Sequence, residues 1–262
     1  MLEVTILSVL QGVAEFLPIS SSGHLVLGKS LLGLGDVGIR LDIFLHVGTL
    51  FAVCAFYWRI IRRIALGAFW LGGESPREAW LYCVKIVVSA VPAAVVGILL
   101  KDRIEEAFAS PKLVGAALVF TGLVLTATRF LSRGKDGVGF FHAIVMGIAQ
   151  AIAILPGVSR SGMTLAAARA TKVDPEKAAE FSFLMSVPPI AGAALLEIVK
   201  SLKESAPAVA EVSWGLTIYG AAVAAVVGYF ALALLLRSLR SDKFWLFGPY
   251  CVIAGVVTIA CC

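Results

Sequence analysis

The sequence predicts an all-α integral membrane protein with six transmembrane helices and two re-entrant helical hairpins in an inverted repeat. Three observations carry this expectation. Of the 262 residues 60% are apolar and only 15% are charged, too few charges for the polar shell of a soluble domain. The charges gather between long apolar runs, as they do between successive membrane spans. Two apolar stretches are broken in the middle by Pro, Gly and Ser, and the two breaks share a register.

Six runs can cross a hydrocarbon layer of about 30 Å as helices: 41–58, 79–100, 112–131, 180–199, 214–236 and 244–262. Ser75-Pro76-Arg77-Glu78 reads as an N-cap, a proline at the first helical position and a capping-box Glu. Ser110-Pro111 and Asp174-Pro175 repeat the cap and proline. Pro92, Pro188 and Pro189 are kink candidates inside spans. The broken stretches 2–34 and 138–165 have halves too short to span, so each is expected to enter the membrane and turn back. Cys54, Cys83, Cys251, Cys261 and Cys262 fall in apolar runs without metal spacing and read as packing residues. The start has no basic n-region and carries Glu3 and Glu15, so it does not read as a cleavable signal peptide.

Loop charge sets orientation. Arg59, Arg62, Arg63 and Arg77 follow the first span; Arg129, Arg133 and Lys135 follow the third; Arg237, Arg240 and Lys243 follow the fifth. These loops are expected on the cytoplasmic side. Loops 101–112 and 200–213 mix in Asp102, Glu105, Glu106, Glu204 and Glu211, and are expected outside together with both termini. The net charge of +5 then points to anionic lipid, not nucleic acid. The first hairpin must enter from the outer face and the second from the cytoplasmic face.

The breaks are copies. Gln11 precedes Ser20 by nine residues, and Gln150 precedes Ser159 by nine. Each serine opens an S-x-S-G: Ser20-Ser21-Ser22-Gly23 and Ser159-Arg160-Ser161-Gly162. At the same offset of 139, Phe44-Leu45 matches Phe183-Leu184. The chain thus divides into repeats 1–134 and 135–262 of a single membrane domain, each with one hairpin and three spans. Three is odd, so the second repeat is inverted, and a site is expected near the midplane where the tips meet.

The first break reads Gln11-Gly-Val-Ala-Glu15-Phe-Leu-Pro-Ile-Ser20-Ser21-Ser22-Gly23-His24. Gln11 and Glu15 share one helix face. An acid in an apolar hairpin is expensive and marks a cation site, a general base or a buried pair. The serines precede the apolar run Leu25–Leu34; a helix starting there presents hydroxyls and free N–H groups to an anion. His24 suits a proton donor or a nucleophile, and otherwise an interfacial filler. In the second break Arg160 is the only Lys or Arg between Lys135 and Arg169. Its fork suits a phosphate, with Ser159, Ser161 and Thr164 as further donors, or else a structural bridge to Glu15. Asp42 and His46 fall on the outer half of the first span, near the first hairpin. Lys85 reads as a snorkelling residue and His142 as an interfacial one.

QGVAEFLPISSSGH and PGVSRSGMT at this separation resemble the undecaprenyl-diphosphate phosphatase family of the bacitracin-resistance type, over essentially the whole chain. The resemblance implies hydrolysis of undecaprenyl diphosphate to the monophosphate, recycling the lipid carrier of bacterial wall synthesis in the inner membrane. It implies a divalent cation, Mg²⁺ or Ca²⁺, and a site open to the periplasm. Carried over, the catalytic positions are Glu15, Ser21, His24 and Arg160. The substrate-binding positions are Ser20, Ser22, Ser159, Ser161 and Thr164, and the metal-binding positions Glu15 and Gln11. Gln11 stands where many relatives have Glu, so the cation would rest on Glu15 and substrate phosphates. The nucleophile is Ser21, His24 or a water. The partners implied are the bilayer and the lipid substrate; self-association into a homo-oligomer is compatible with both. Inverted repeats also suit a transporter or flippase for a prenyl phosphate lipid. The acid and histidine beside an anion clamp favour chemistry over transport.

Overall fold

The computed structural model describes residues 1–33, 39–71, 75–203 and 212–261. Those residues are helical almost throughout and form no sheet; one isolated bridge joins Asp136 and Val173. Glu204 and Glu211 of the expected outer loop, Leu34 at the end of the first hairpin and Cys262 lie outside the described residues.

The first broken stretch folds as α1 (Leu2–Phe16) and α2 (Ser21–Leu31). The second folds as α8 (Phe140–Ile152) and α9 (Arg160–Ala170), five residues longer than the expected limit of 165. Between them lie α3 (Ile39–Phe56), α4 (Trp58–Ala68), α5 (Pro76–Leu99), α6 (Lys101–Phe108) and α7 (Pro111–Ala127). After them come α10 (Pro175–Leu184), α11 (Val187–Lys203), α12 (Trp214–Arg240) and α13 (Phe247–Cys261).

Five stretches among the described residues are long and apolar enough to cross a membrane: Pro76–Leu99, Pro111–Phe130, Pro175–Leu196, Trp214–Arg240 and Phe244–Cys261. A sixth is counted if the bent pair α3–α4 is one span. The chain is a multi-pass membrane protein. Valines 84, 87, 91 and 95 and Ile98 on α5, like Ile253, Val256 and Val257 on α13, are exposed on its outside. In water such a surface would be costly; against lipid tails it is matched.

Several elements differ from expectation for local reasons. The arginine-rich connection after α3 is not a loop. It turns by 73° into α4, whose Ile60, Ile61 and Ile64 pack against the core while Arg59, Arg62 and Arg63 are exposed. An amphipathic face of this kind suits the membrane interface. The connection 101–112 likewise contains α6. The 180–199 run is two helices parted at Met185–Ser186; Pro188 and Pro189 fall in the first turn of α11, where their missing donors cost nothing. Ser75 starts α5 without a side-chain cap bond, so the capping box expected there does not form. The caps at Ser110 and Asp174 do form.

α1 packs against α12, and α8 against α5. α7 and α13 cross at close range: a Cβ on Gly122 would stand 2.6 Å from the Gly248 carbonyl oxygen. Without a hydrophobic drive between helices in lipid, such small-residue contacts supply the packing. Phe16, Phe181, Phe183, Met146 and Met185 fill the core below the hairpin tips, with Phe16 and Phe183 edge to face at 5.6 Å. Arg133 donates to the Arg240 carbonyl at 3.2 Å, so the connections after the third and fifth spans lie at the same end. Arg169 joins Asp242 and the Leu131 carbonyl at that end.

Candidate active site

The two hairpin turns are built alike. Ser20 caps α2, its Oγ accepting from Gly23 N–H at 3.4 Å. Ser159 caps α9, its Oγ accepting from Gly162 N–H at 3.1 Å. Each capping hydroxyl lies 3.3 Å from the hydroxyl two residues on, Ser22 or Ser161. The cap geometry follows from sequence: a serine at the N-cap satisfies a donor that the first helical turn leaves open, here the N–H of the glycine three residues on.

The tips meet. Ser161 Oγ donates to the Leu17 carbonyl at 3.4 Å, and a Cβ on Gly23 would lie 3.2 Å from Gly157 Cα. Gly157 has φ +93°, and a Cβ there would sit 2.4 Å from the Val114 carbonyl oxygen, so only glycine fits this turn. Thr121 of α7 holds the same turn. Its hydroxyl donates to the Gly157 carbonyl and accepts from Ser159 N–H, both at 3.1 Å.

Glu15 is the centre of the polar contacts. It is 7% exposed. Its Oε1 accepts from Arg160 Nη2 across the two hairpins. Its Oε2 accepts from Ser21 Oγ at 2.6 Å and from Gln11 Nε2 at 3.1 Å. His46 Nε2 stands 3.8 Å from the same oxygen. The His46 ring is turned there by Nδ1, which donates to the Asp42 carbonyl at 2.8 Å. Asp42 is paired with Lys29. A carboxylate, a hydroxyl, a guanidinium and two helix N-termini thus converge, and the two N-termini add positive potential.

Glu15, Ser21, Arg160, His46 and Asp42 line a cavity of about 490 Å³. Its polar wall contains Glu15, Ser20, Ser21, Ser22, Ser159, Arg160, His46, Asp42 and Gln150; Ala93, Ile154, Val158, Pro189, Ile190 and Ala194 are among its apolar lining. A charged head can sit at the tips while an apolar tail follows the rest of the wall.

Four expected site residues stand elsewhere. Gln11 lies behind Glu15. Ser161 and Thr164 are buried away from the cavity. Thr164 bonds the Arg160 carbonyl at 2.9 Å and lies 2.6 Å from Ser182 Oγ, steadying the first turn of α9. His24 is also outside the cavity wall. Its Nδ1 donates to the Ser20 carbonyl at 2.9 Å, which leaves Nε2 as acceptor for Tyr250 Oη–H at 2.7 Å. Tyr250 stacks on the ring at a 5.7 Å centroid distance. No local signal could announce Tyr250, 226 residues away. Thr121 and Ser182 left a faint one, as polar residues inside apolar runs.

The donor set limits any cation. No group of three or more His, Cys, Asp or Glu is arranged to hold a metal among the described residues. The buried Gln11 Oε1 has no partner beside the Glu15 carboxylate. Two protein oxygens fit a hard cation that takes its remaining ligands from phosphate and water.

The family model described as Bacitracin resistance protein BacA matches residues 4–257. The chain belongs to that family. Relatives agree over nearly full length. A Moorella thermoacetica protein named undecaprenyl-diphosphatase is 41% identical over 262 residues, 99% of this chain and 97% of its own. Proteins of the same name from Desulforapulum autotrophicum and Halothermothrix orenii are 39% and 38% identical. They cover 97% and 98% of this chain, and 95% and 96% of their own lengths.

Proposed function

We propose that this chain is an undecaprenyl-diphosphate phosphatase, releasing inorganic phosphate and the prenyl monophosphate. The observation that carries the reading is the Ser21–Glu15–Arg160 constellation at the cavity wall, in a chain similar throughout to proteins of that name. The diphosphate head displaces Glu15 from Arg160 and takes the guanidinium in its place. Ser21 Oγ, already donating to Glu15, is the nucleophile the geometry favours over His24, whose nitrogens are both engaged. Ser21 Oγ bonds to the terminal phosphorus, its proton passes to Glu15, and the bridging P–O bond breaks to free the monophosphate. A water oxygen then bonds to the phosphorus as the Oγ–P bond breaks; Glu15 returns its proton to Ser21 Oγ, and both water hydrogens leave with the inorganic phosphate. Neutralising the spreading charge is the main catalytic task, met by Arg160 and the helix N-termini. His24 serves through the Ser20 carbonyl it holds. Glu15 and the Gln11 carboxamide would hold Mg²⁺ or Ca²⁺, which when bound supplies further charge neutralisation on the phosphates.

The inverted-repeat reading belongs to the same proposal, with six spans, two re-entrant hairpins and repeats 1–134 and 135–262. Its support is the offset of 139: it carries α2 onto α9 residue for residue, and the α12–α1 packing onto α5–α8. Orientation follows from charge. The cavity lining includes Asp42 and Phe108, near the acid-containing connections, while the arginine-rich connections meet elsewhere. With basic loops in the cytoplasm, the site opens outward across the bacterial inner membrane, to the periplasm.

The test is phosphate release from a prenyl diphosphate by the purified full-length protein, with and without chelator. Release that stops with chelator and returns with Mg²⁺ or Ca²⁺ is expected. Binding of the lipid with no turnover would favour carriage across the membrane instead.

A further inference from the structure

Gln150 carries an unexplained pair of atoms. Its residue is 4% exposed and lines the cavity beside Glu15, Ser159 and Arg160. Both its Nε2 and its Oε1 are buried without a hydrogen-bond partner among the described residues. Arg160 Nη1 is buried and unpartnered as well. Buried donors and acceptors are almost always paired, because each unpaired one keeps its full desolvation penalty.

The other repeat shows why the pair is open. Gln11 is the counterpart of Gln150, and its Nε2 donates to Glu15, one helical turn on. The residue one turn after Gln150 is Ile154, which offers nothing. The second repeat has a glutamine without the acid that satisfies it in the first. That leaves donors from two residues and one acceptor at the cavity wall, a set that matches a phosphoryl group: negative oxygens for the N–H groups, and a P–OH or water hydrogen for Oε1.

We propose that Gln150 is a substrate-binding residue, its carboxamide contacting the same terminal phosphoryl group as Arg160 Nη1. The inference rests on the phosphatase reading and extends it to a residue outside both signature turns. Gln150→Met keeps the shape and removes both polar ends. In full-length detergent-purified protein acting on farnesyl diphosphate, kcat/KM falls about ten- to a hundredfold, the range of one hydrogen bond to a charged group. Inhibition by inorganic phosphate weakens by a similar factor, and the Tm holds or rises because an unpaired buried amide is gone. Gln150→Glu, which sets a carboxylate against the phosphate, loses more activity than Gln150→Met at neutral pH. A kcat/KM and phosphate inhibition within twofold of wild type in both variants overturns the proposal. So does a Gln150→Met protein that loses activity only in step with its Tm while Gln150→Glu works normally. If wild type itself releases no phosphate, the phosphatase reading fails. Binding of inorganic phosphate to wild type and Gln150→Met, followed by calorimetry, then decides on Gln150: equal binding, or none to either, overturns it.

Discussion

The two hairpin turns share one frame and differ in chemistry. Each is a helix, a tight turn, a capping serine and an eleven-residue helix. The first reaches its turn with Ser20 at φ 70°, the second with Gly157 at φ +93°. The first carries Glu15 and Ser21, the second Arg160. Neither turn has a complete site: the buried acid needs the guanidinium to be tolerable, and the guanidinium needs an anion. The charge pair thus has one member on each tip.

The sharpest way to break this comparison is to remove one member of the pair. Arg160→Ala should lower phosphate release by about three orders of magnitude or more, as losing a main charge-stabilising group does. It should also cost about 3–5 kcal/mol of stability by leaving Glu15 buried alone. The double variant Glu15→Gln/Arg160→Met should regain the stability and none of the activity. Thermal unfolding in detergent and initial rates read both, and an unchanged Tm in Arg160→Ala would mean that the tips are held by other contacts.

A smaller contrast separates the serines. Ser21→Ala removes the hydroxyl next to Glu15 but no cap, so activity should fall by about a hundredfold or more at constant Tm. Ser159→Ala removes the cap of α9 and should cost about 1 kcal/mol, with a much milder loss of rate. Equal effects in the two variants would erase the distinction between reacting and structural hydroxyls. Smallest in its effect on rate is the turn itself. Gly157→Ala forces a Cβ toward Val114 at positive φ and should cost about 1–3 kcal/mol from the backbone strain alone. Its measured change in Tm tests whether the second turn is the more tightly specified one.

Much of this was legible in the chain. Apolar run lengths anticipate the spans because the bilayer fixes how long a helix must be. The serine caps and prolines at 110–111 and 174–175 anticipate helix starts because those donors are unmet locally. The Glu15–Arg160 contact was foreseeable as a structural bridge, since each charge is intolerable alone. Less was legible where a side chain's role depends on distant packing. His24 meets Tyr250, and no local pattern pairs two residues so far apart in the chain. The contact of Thr164 with Ser182 is likewise set by the packing of α9 on α10. The arginine-rich 59–68 stretch reads as a loop by charge; its isoleucine spacing reveals the helix only once a core is there to receive it.

The Glu15–Arg160 bond also bears on hydration. Two helical turns that meet inside a multi-pass membrane protein bring turn backbone and buried charge together, and either would draw in water. With the carboxylate and guanidinium closed on each other, and the turns joined through Thr121 and the Leu17 carbonyl, the two charges offset each other. The pair therefore lets the chain keep an acid and a base at its centre without leaving either charge to be met by water alone.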